Sequence, residues 1–474
     1  MNISEIKTSF KEIERITQKH FNKLGCERLK EVLETWDANL MESRDKTKYR
    51  HHGRVKTVIK TVMGEVEYER VEYQILDGDG KTRYVYLLDE AMGETGVGYF
   101  SELLSEQIVQ ACCESSYRNA ARAVSEMTGQ TISHAAAWTV VQEFGAQVDE
   151  EEKRSAELAA ENKGVGAIET KLLFEEHDGI WLSMQGKSRK DRGDRVEMKV
   201  AIAYDGAEKV GKKRYKLTNK VACANFGPAG DFIWRKDGVV AGTYNVDEIE
   251  IRILGGDGAS WIKQSQTDDS VHFQLDQYHR NKAIVQYVSD PDARETIRDL
   301  LYAKDIELLL SVIETYSLST DDEEERENYQ RLYIYFQNNK DGLVPYHRRG
   351  LQLPAPPEGK EYRRMGAMES NIFTLIGNRM KGRRHCWSIN GGNNLARLLC
   401  LKHTGKLTGI LDSLSAHVLP ARYAQEVTVD YSASVVPQHE GKGYNGFKQS
   451  FIPSSMKWMK DLVGMKPLSE MKFN

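Results

Sequence analysis

The residues with the most chemical content lie in one stretch, 251–282. It reads Ile-Arg-Ile-Leu-Gly-Gly-Asp-Gly-Ala-Ser-Trp, then a polar gap, then Val-His-Phe-Gln-Leu-Asp-Gln-Tyr-His-Arg-Asn-Lys. Asp257 and Asp276 each follow a short apolar run of strand character, Ile251 to Leu254 and Val271 to Leu275. Gly255, Gly256 and Gly258 bracket Asp257, so the backbone can turn sharply where the carboxylate stands. Ligands of open α/β sheets bind beyond the carboxyl ends of the strands, so two acids at successive strand ends mark a candidate site. The competing reading is that each only caps the helix that follows it.

Two further acids join them. Asp178 shares the period-2 phase of Ile180, Leu182 and Met184, on an otherwise apolar strand face, where a carboxylate needs a hydrogen-bond network or a cation. Glu369, Ile372, Phe373, Ile376 and Met380 fall at i, i+3, i+4, i+7 and i+11 of one helix, which puts Glu369 at the head of a buried stripe. Past that stripe Arg379, Lys381, Arg383, Arg384 and His385 form a basic cluster suited to phosphates. If the strands carrying Asp178 and Asp257 are neighbours, as in a ribonuclease-H-like sheet, they lie about 4.8 Å apart and the two carboxylates can share a metal. Two magnesium or manganese ions about 3.5–4 Å apart, held by Asp178, Asp257 and Glu369, would activate a water or a 3′-hydroxyl against a phosphodiester. Asp276 and His279 sit at i and i+3, so the carboxylate can orient the imidazole as a proton donor or a cationic contact. The plainer alternative is a cap and a surface histidine.

These side chains must be positioned by a mixed α/β chain. A length of 474 residues predicts about three domains. Residues 1–150 read as a mainly helical DNA-binding region. It opens with an amphipathic helix and continues with an irregular basic arm, 44–60, whose Arg50, Arg54 and Lys56 can meet phosphates. Val58 to Tyr73 and Tyr84 to Leu88 then form a small β element. Tyr117 to Met127 and Ser133 to Phe144, joined by a Gly-containing turn, have the shape of a helix-turn-helix, with Ser133 at the start of the second helix and Ala136, Trp138, Val140 and Val141 buried. Residues 148–164 are charged, Ala-rich and helical and read as a connector. The α/β core occupies 165–282, a helical insertion 283–358, the end of the core with Glu369 359–400, and a helical tail 401–474. The acidic run 321–327 within the insertion reads as solvated surface.

Composition narrows the classes. A net charge of −4 announces no nucleic-acid partner for the molecule as a whole, so any basic surface has to be local. The six cysteines show no CxxC and no paired Cys/His spacing, which disfavours a structural zinc or a disulfide framework and makes reduced thiols in a cytoplasm the expectation. No signal peptide or apolar run of membrane-spanning length is visible.

Taken together, Glu176-His-Asp178-Gly, Gly256-Asp257-Gly-Ala, Asp276-Gln-Tyr-His279-Arg-Asn-Lys and Met368-Glu369-Ser-Asn resemble the DDE transposases of bacterial insertion sequences. The likeness is to the ISLre-type group, related to Mutator-like elements, and runs over essentially the whole chain. The resemblance implies a ribonuclease-H-like catalytic core and metal-dependent cleavage and joining of DNA. It further implies terminal inverted repeats and target DNA as partners, a homodimer or larger assembly on DNA, and a nucleoid-associated place in a bacterial cytoplasm. Mutator-like enzymes carry Cys-x-x-His after the fifth strand, whereas here Asp276 stands in the Cys place with His279 retained. Asp257 is preferred over Asp276 as the second aspartate because of its glycines and strand-end position. The rivals are a domesticated, non-catalytic DNA-binding protein and a structure-specific nuclease on the same fold.

Overall fold

The computed structural model describes residues 9–78, 80–92, 100–382 and 384–414. They divide into two compact units. One takes the described residues up to Ser105 together with Val124–Thr131; the other takes Glu106–Ala123 and Ile132–Leu414.

In the first unit a long helix, Phe10–Ser43, is capped by Ser9, whose side chain accepts from the Glu12 N–H. It precedes an antiparallel sheet of β1 (Arg50–Lys60), β2 (Glu65–Leu76) and β3 (Thr82–Val85) in that order. Trp36, Ile59, Val66, Tyr68 and Leu88 form its core. Of the basic arm 44–60 expected to be irregular, Arg50–Lys60 is a strand, because Val55, Thr57 and Ile59 alternate inward between outward Arg54 and Lys56. Arg50, Arg54 and Lys56 are exposed. The acids of β2 face part of this strip, with Lys56 at 3.9 Å from Glu67 and Lys60 at 3.4 Å from Glu65.

The second unit is built on a five-stranded sheet. Its strands are β4 (Leu172–Ser183), β5 (Arg195–Tyr204), β8 (Val221–Asn225), β9 (Ile251–Gly256) and β10 (Val271–Leu275), with β6 (Ala207–Lys209) and β7 (Tyr215–Leu217) forming a separate hairpin. The order is β10-β9-β4-β5-β8. Strands β4, β5 and β8 pair antiparallel, while β9 pairs parallel with both β4 and β10. The first and fourth strands of this sheet in chain order, β4 and β9, are therefore neighbours.

Helices cover the sheet. Ala229–Ala241 occupies the connection after β8, and Pro291–Ala303, Ile306–Ser319 and Glu323–Asn338 follow β10. Ile297, Leu309, Ile313, Leu332 and Phe336 of the latter three share one hydrophobic core with Leu254, Phe273 and Leu275 of the sheet. Much of the acidic run forms the first turn of Glu323–Asn338, where Glu323, Glu324 and Glu325 complement the helix dipole.

The helices of the expected helix-turn-helix form at Tyr117–Thr128 and His134–Ala160, separated by Gly129 at φ +70°. Two expectations about the second helix fail. Trp138 is 46% exposed, and Ala137 takes the inward place beside Val140 and Val141. The helix also runs on through the supposed connector. Its Asp149 accepts from Arg235 at 2.7 Å and pairs with Arg397 at 2.5 Å, and its Glu152 accepts from Arg397 at 3.0 Å. A charged, Ala-rich segment reads as a solvated spacer until the buried arginines opposite it are known.

Candidate active site

Register brings the carboxylates together. The β4–β9 ladder ends at the pair Glu176 and Gly255, and Asp178 and Asp257 each stand two residues further on. Strand β10 adds Asp276, whose N–H donates to the Gly256 carbonyl at 2.8 Å. Turning the chain back after Asp257 requires Gly258, at φ +90°, where a Cβ would lie 2.4 Å from the Asn339 side chain. Asp178, Asp257, Asp276, His279 and Glu369 all line one cleft, with Glu176, Met365 and Met368 in its walls.

Each aspartate is anchored through one oxygen. Asp178 Oδ1 accepts from the Gly179 N–H at 2.7 Å, and Asp257 Oδ1 from the Ala259 N–H at 2.8 Å. Asp276 Oδ2 caps the helix Gln277–Tyr287 through the His279 N–H at 3.1 Å and also meets His279 Nδ1 at 2.9 Å. The helix cap and the carboxylate–imidazole contact, posed as alternatives from sequence, therefore coexist.

The electrostatics differ within the cleft. Burial pushes Asp178 up to about 6, and the neighbouring charges of Asp257 and Glu369 push the same way. The hydrogen bond to Asp276 raises His279 above its ordinary value, against the cost of burial. Burial would raise Asp276, but the hydrogen bonds from His279 prevail and hold it below the usual carboxylate range.

A second charged group lies two and three residues earlier on β4. Glu175 is buried and bonded to Lys236 Nζ at 2.6 Å, with His177 at 3.5 Å and Arg252 at 3.4 Å. His177 stacks on Trp261, ring centroids 6.0 Å apart. Glu176 points the other way. Its Oε1 accepts from the Tyr204 hydroxyl at 2.6 Å, and its Oε2 from the N–H groups of Gly366 and Met368, both at 3.0 Å. Pattern alone assigns no role to Glu175 or Glu176, because the six consecutive buried residues Leu172 to His177 show no alternation to single out an acid.

The donor set fits a hard divalent cation, since Asp178, Asp257 and Glu369 offer carboxylate oxygens only and lack a neutralising lysine or arginine in the cleft lining. Among the described residues no three His, Cys, Asp or Glu side chains converge closely enough to hold a metal as they stand.

The basic cluster after Glu369 is divided by the structure. The helix is α-helical over Met368–Ile372, π-helical over Phe373–Gly377 and α-helical again over Asn378–Met380. The π turn shifts the phase. Glu369 is exposed and Phe373 is 62% exposed, so the expected buried stripe does not include them. Arg379 is correspondingly buried, donates to the Cys112 carbonyl at 2.7 Å and lies over the Tyr117 and Trp387 rings. It belongs to the fold, not to a phosphate-binding surface. Lys381 and Arg384 are exposed, and Arg383 lies outside the described residues. Ser133 is exposed and accepts from the Ala136 N–H at 3.0 Å as a helix cap.

A model of an uncharacterised protein family, UPF0236, matches residues 4–412. A UPF0236 protein of Caldanaerobacter subterraneus subsp. tengcongensis is 28% identical over 352 residues, covering 73% of this chain and 69% of its own. Another from that organism, whose name joins eleven designations, is 26% identical over 354 residues, covering 73% and 68%. A UPF0236 protein in the vanSb 3′ region of Streptococcus gallolyticus is 24% identical over 388 residues, covering 79% and 76%. Among solved structures, the Drosophila P element transposase strand transfer complex aligns over 68% of this chain and 80% of that one, at 10% identity and a TM-score of 0.20, a likeness too slight to carry an argument.

Proposed function

We propose that this chain, which belongs to the uncharacterised family UPF0236, is a DDE-type DNA transposase that cuts the ends of an insertion sequence and joins them to target DNA. One observation carries the reading: Asp178 on β4, Asp257 just past the neighbouring β9, and Glu369 after the inserted helices line a single cleft. The strand order, three antiparallel strands followed by two parallel ones, supports reading the sheet as ribonuclease-H-like. Eleven designations joined under one relative's name fit a sequence kept in several copies, as a mobile element would be.

Asp178, Asp257 and Glu369 would hold two Mg²⁺ or Mn²⁺ ions, which when bound supply a nucleophilic oxygen and neutralise charge on the scissile phosphate. The chain's own groups do the rest. Water forms the new bond to phosphorus, the bond to the 3′-oxygen breaks, and His279, whose charged form is favoured by Asp276, would donate a proton to that leaving oxygen. The freed 3′-hydroxyl is then the nucleophile for joining. Residues 1–150, with exposed Arg50, Arg54 and Lys56, would grip the element ends, and Lys381 and Arg384 the phosphates near the cleft. Assembly as a homodimer on DNA would bring two ends together. No helix among the described residues is long and apolar enough to cross a membrane.

The DNA around the gene tests the reading. Terminal inverted repeats bounded by short direct repeats, and excision of that segment when the protein is expressed, are expected. Excision unchanged by Asp257→Asn would contradict it.

A further inference from the structure

Glu176 lies in the wall of the cleft, but its carboxylate is already occupied. Oε1 accepts from the Tyr204 hydroxyl on β5, and Oε2 accepts from two main-chain N–H groups, those of Gly366 and Met368. Tyr204 is itself held by stacking on Phe174, ring centroids 5.3 Å apart. Glu176 is 2% exposed, so these three donors take the place of water for a carboxylate that would otherwise be costly to bury.

The backbone held in this way leads directly into Glu369. Gly366 adopts φ +123°, a conformation open to glycine, and Met368 begins the short helix in which Glu369 is the next residue. That helix has no side-chain cap of its own, and its residue in the cap position, Ala367, has none to offer. Glu176 thus supplies from β4 the acceptor that the helix start lacks. It does so two residues before Asp178, on the same side of the strand. One rigid strand therefore carries Asp178 and also fixes the backbone from which Glu369 projects, although the two acids are 191 positions apart in the chain (369 − 178).

We propose that Glu176 is a positioning residue, a carboxylate clamp that sets the start of the Glu369 helix against the strand bearing Asp178. As a statement about catalysis this rests on the transposase reading; as a statement about backbone order it does not. Glu176 is distinct in role from Asp178, Asp257 and Glu369, because its oxygens are turned to protein donors.

Two variants separate the roles. Glu176→Ala removes the acceptor, whereas Glu176→Gln keeps one oxygen that can still accept from both N–H groups. Hydrogen exchange on the full-length protein reads the clamp directly. Amides of Gly366 and Met368 should exchange about tenfold faster in Glu176→Ala, with the β4–β9 ladder still protected, and Glu176→Gln should fall near wild type. In DNA cleavage, Glu176→Ala should lose about 10²-fold, the scale of misplacing a reacting group by about 1 Å, while Glu176→Gln stays within about tenfold. Unchanged exchange at 366–368 in Glu176→Ala would overturn the proposal, as would loss of protection across the whole sheet in both variants. Glu176→Gln as inactive as Glu369→Gln would make Glu176 a metal ligand instead. If the wild-type protein cuts no DNA, the transposase reading fails while the exchange result still decides the clamp.

Discussion

Strand β4 carries charge on both of its faces, and the two faces are treated in opposite ways. On one, Glu175 is fully enclosed and neutralised by Lys236, with His177 and Arg252 in support. On the other, Asp178 is half-buried among like charges, and the described residues of the cleft offer no lysine or arginine to neutralise it. Burial works against both acids. Lys236 reverses that for Glu175, which is held well below the usual range, whereas Asp178 is left pushed up to about 6. Glu175 is thus neutralised by a buried lysine, whereas in the cleft lining only the His279 imidazole stands to offset the charge of Asp178. A closed charge network speaks for the fold, whereas a perturbed acid in a cleft marks a candidate site.

The sharpest break of this comparison is in activity. Asp178→Asn, Asp257→Asn and Glu369→Gln should each abolish cleavage and joining, because the neutral isosteres cannot hold the ions, while binding of element ends persists in a gel-shift assay. For Asp178 the effect on stability should run the other way. Its folded value lies above the ordinary 3.8, so the metal-free protein loses stability as pH rises from there through about 6. Above that range Asp178→Asn should melt no lower than wild type, and a lower Tm would contradict the account.

On the closed face the same kind of change should damage the fold. Lys236→Met leaves Glu175 buried without its main partner, a loss of about 3–5 kcal/mol that urea melts would register. A near-neutral result would mean that Glu175 takes up a proton without penalty, and the contrast between the faces would weaken.

A smaller effect is expected at the cleft's acid–base pair. His279→Ala should slow cleavage by about 10²-fold with end binding intact. Wild-type rates across neutral pH would return His279 to a capping-turn residue.

The smallest effect is on stability against pH. His279 gains from Asp276, so its contribution is complete below the ordinary 6.5 and is lost as pH rises through its higher folded value. Asp276 is held low, so its share is present above 3.8 and is lost only as pH falls through its lower folded value. His279→Gln should therefore lower Tm most between those two limits, by about 1 kcal/mol in stability, and least in alkaline buffer. An equal cost at all pH values would show that the pair is not charged.

Much of the cleft is legible from local pattern. Asp178 betrays itself by standing in the phase of Ile180 and Leu182, and Asp257 and Asp276 by ending apolar runs, one beside glycines. What stays hidden depends on partners distant in sequence or on a break in periodicity. The π turn at Phe373–Gly377 carries Arg379 inward and Phe373 outward, so a constant 3.6-residue period misassigns both. Strand β1 is masked by the charges on its outer face. The helix through Asp149 and Glu152 looks solvated until Arg235 and Arg397 are placed against it. Glu176 is invisible to pattern because its purpose lies in two backbone amides 190 and 192 residues away.

A divalent-ion site of Asp178, Asp257 and Glu369 that cuts DNA is open to direct assay: the full-length protein is incubated with a duplex carrying the element end and the cut is mapped. A 3′-hydroxyl at the terminus is expected in Mg²⁺ or Mn²⁺, end binding without cutting in Ca²⁺, and no product in EDTA or with Asp178→Asn. Cleavage at that position in EDTA, or by the Asp178→Asn protein, would contradict it.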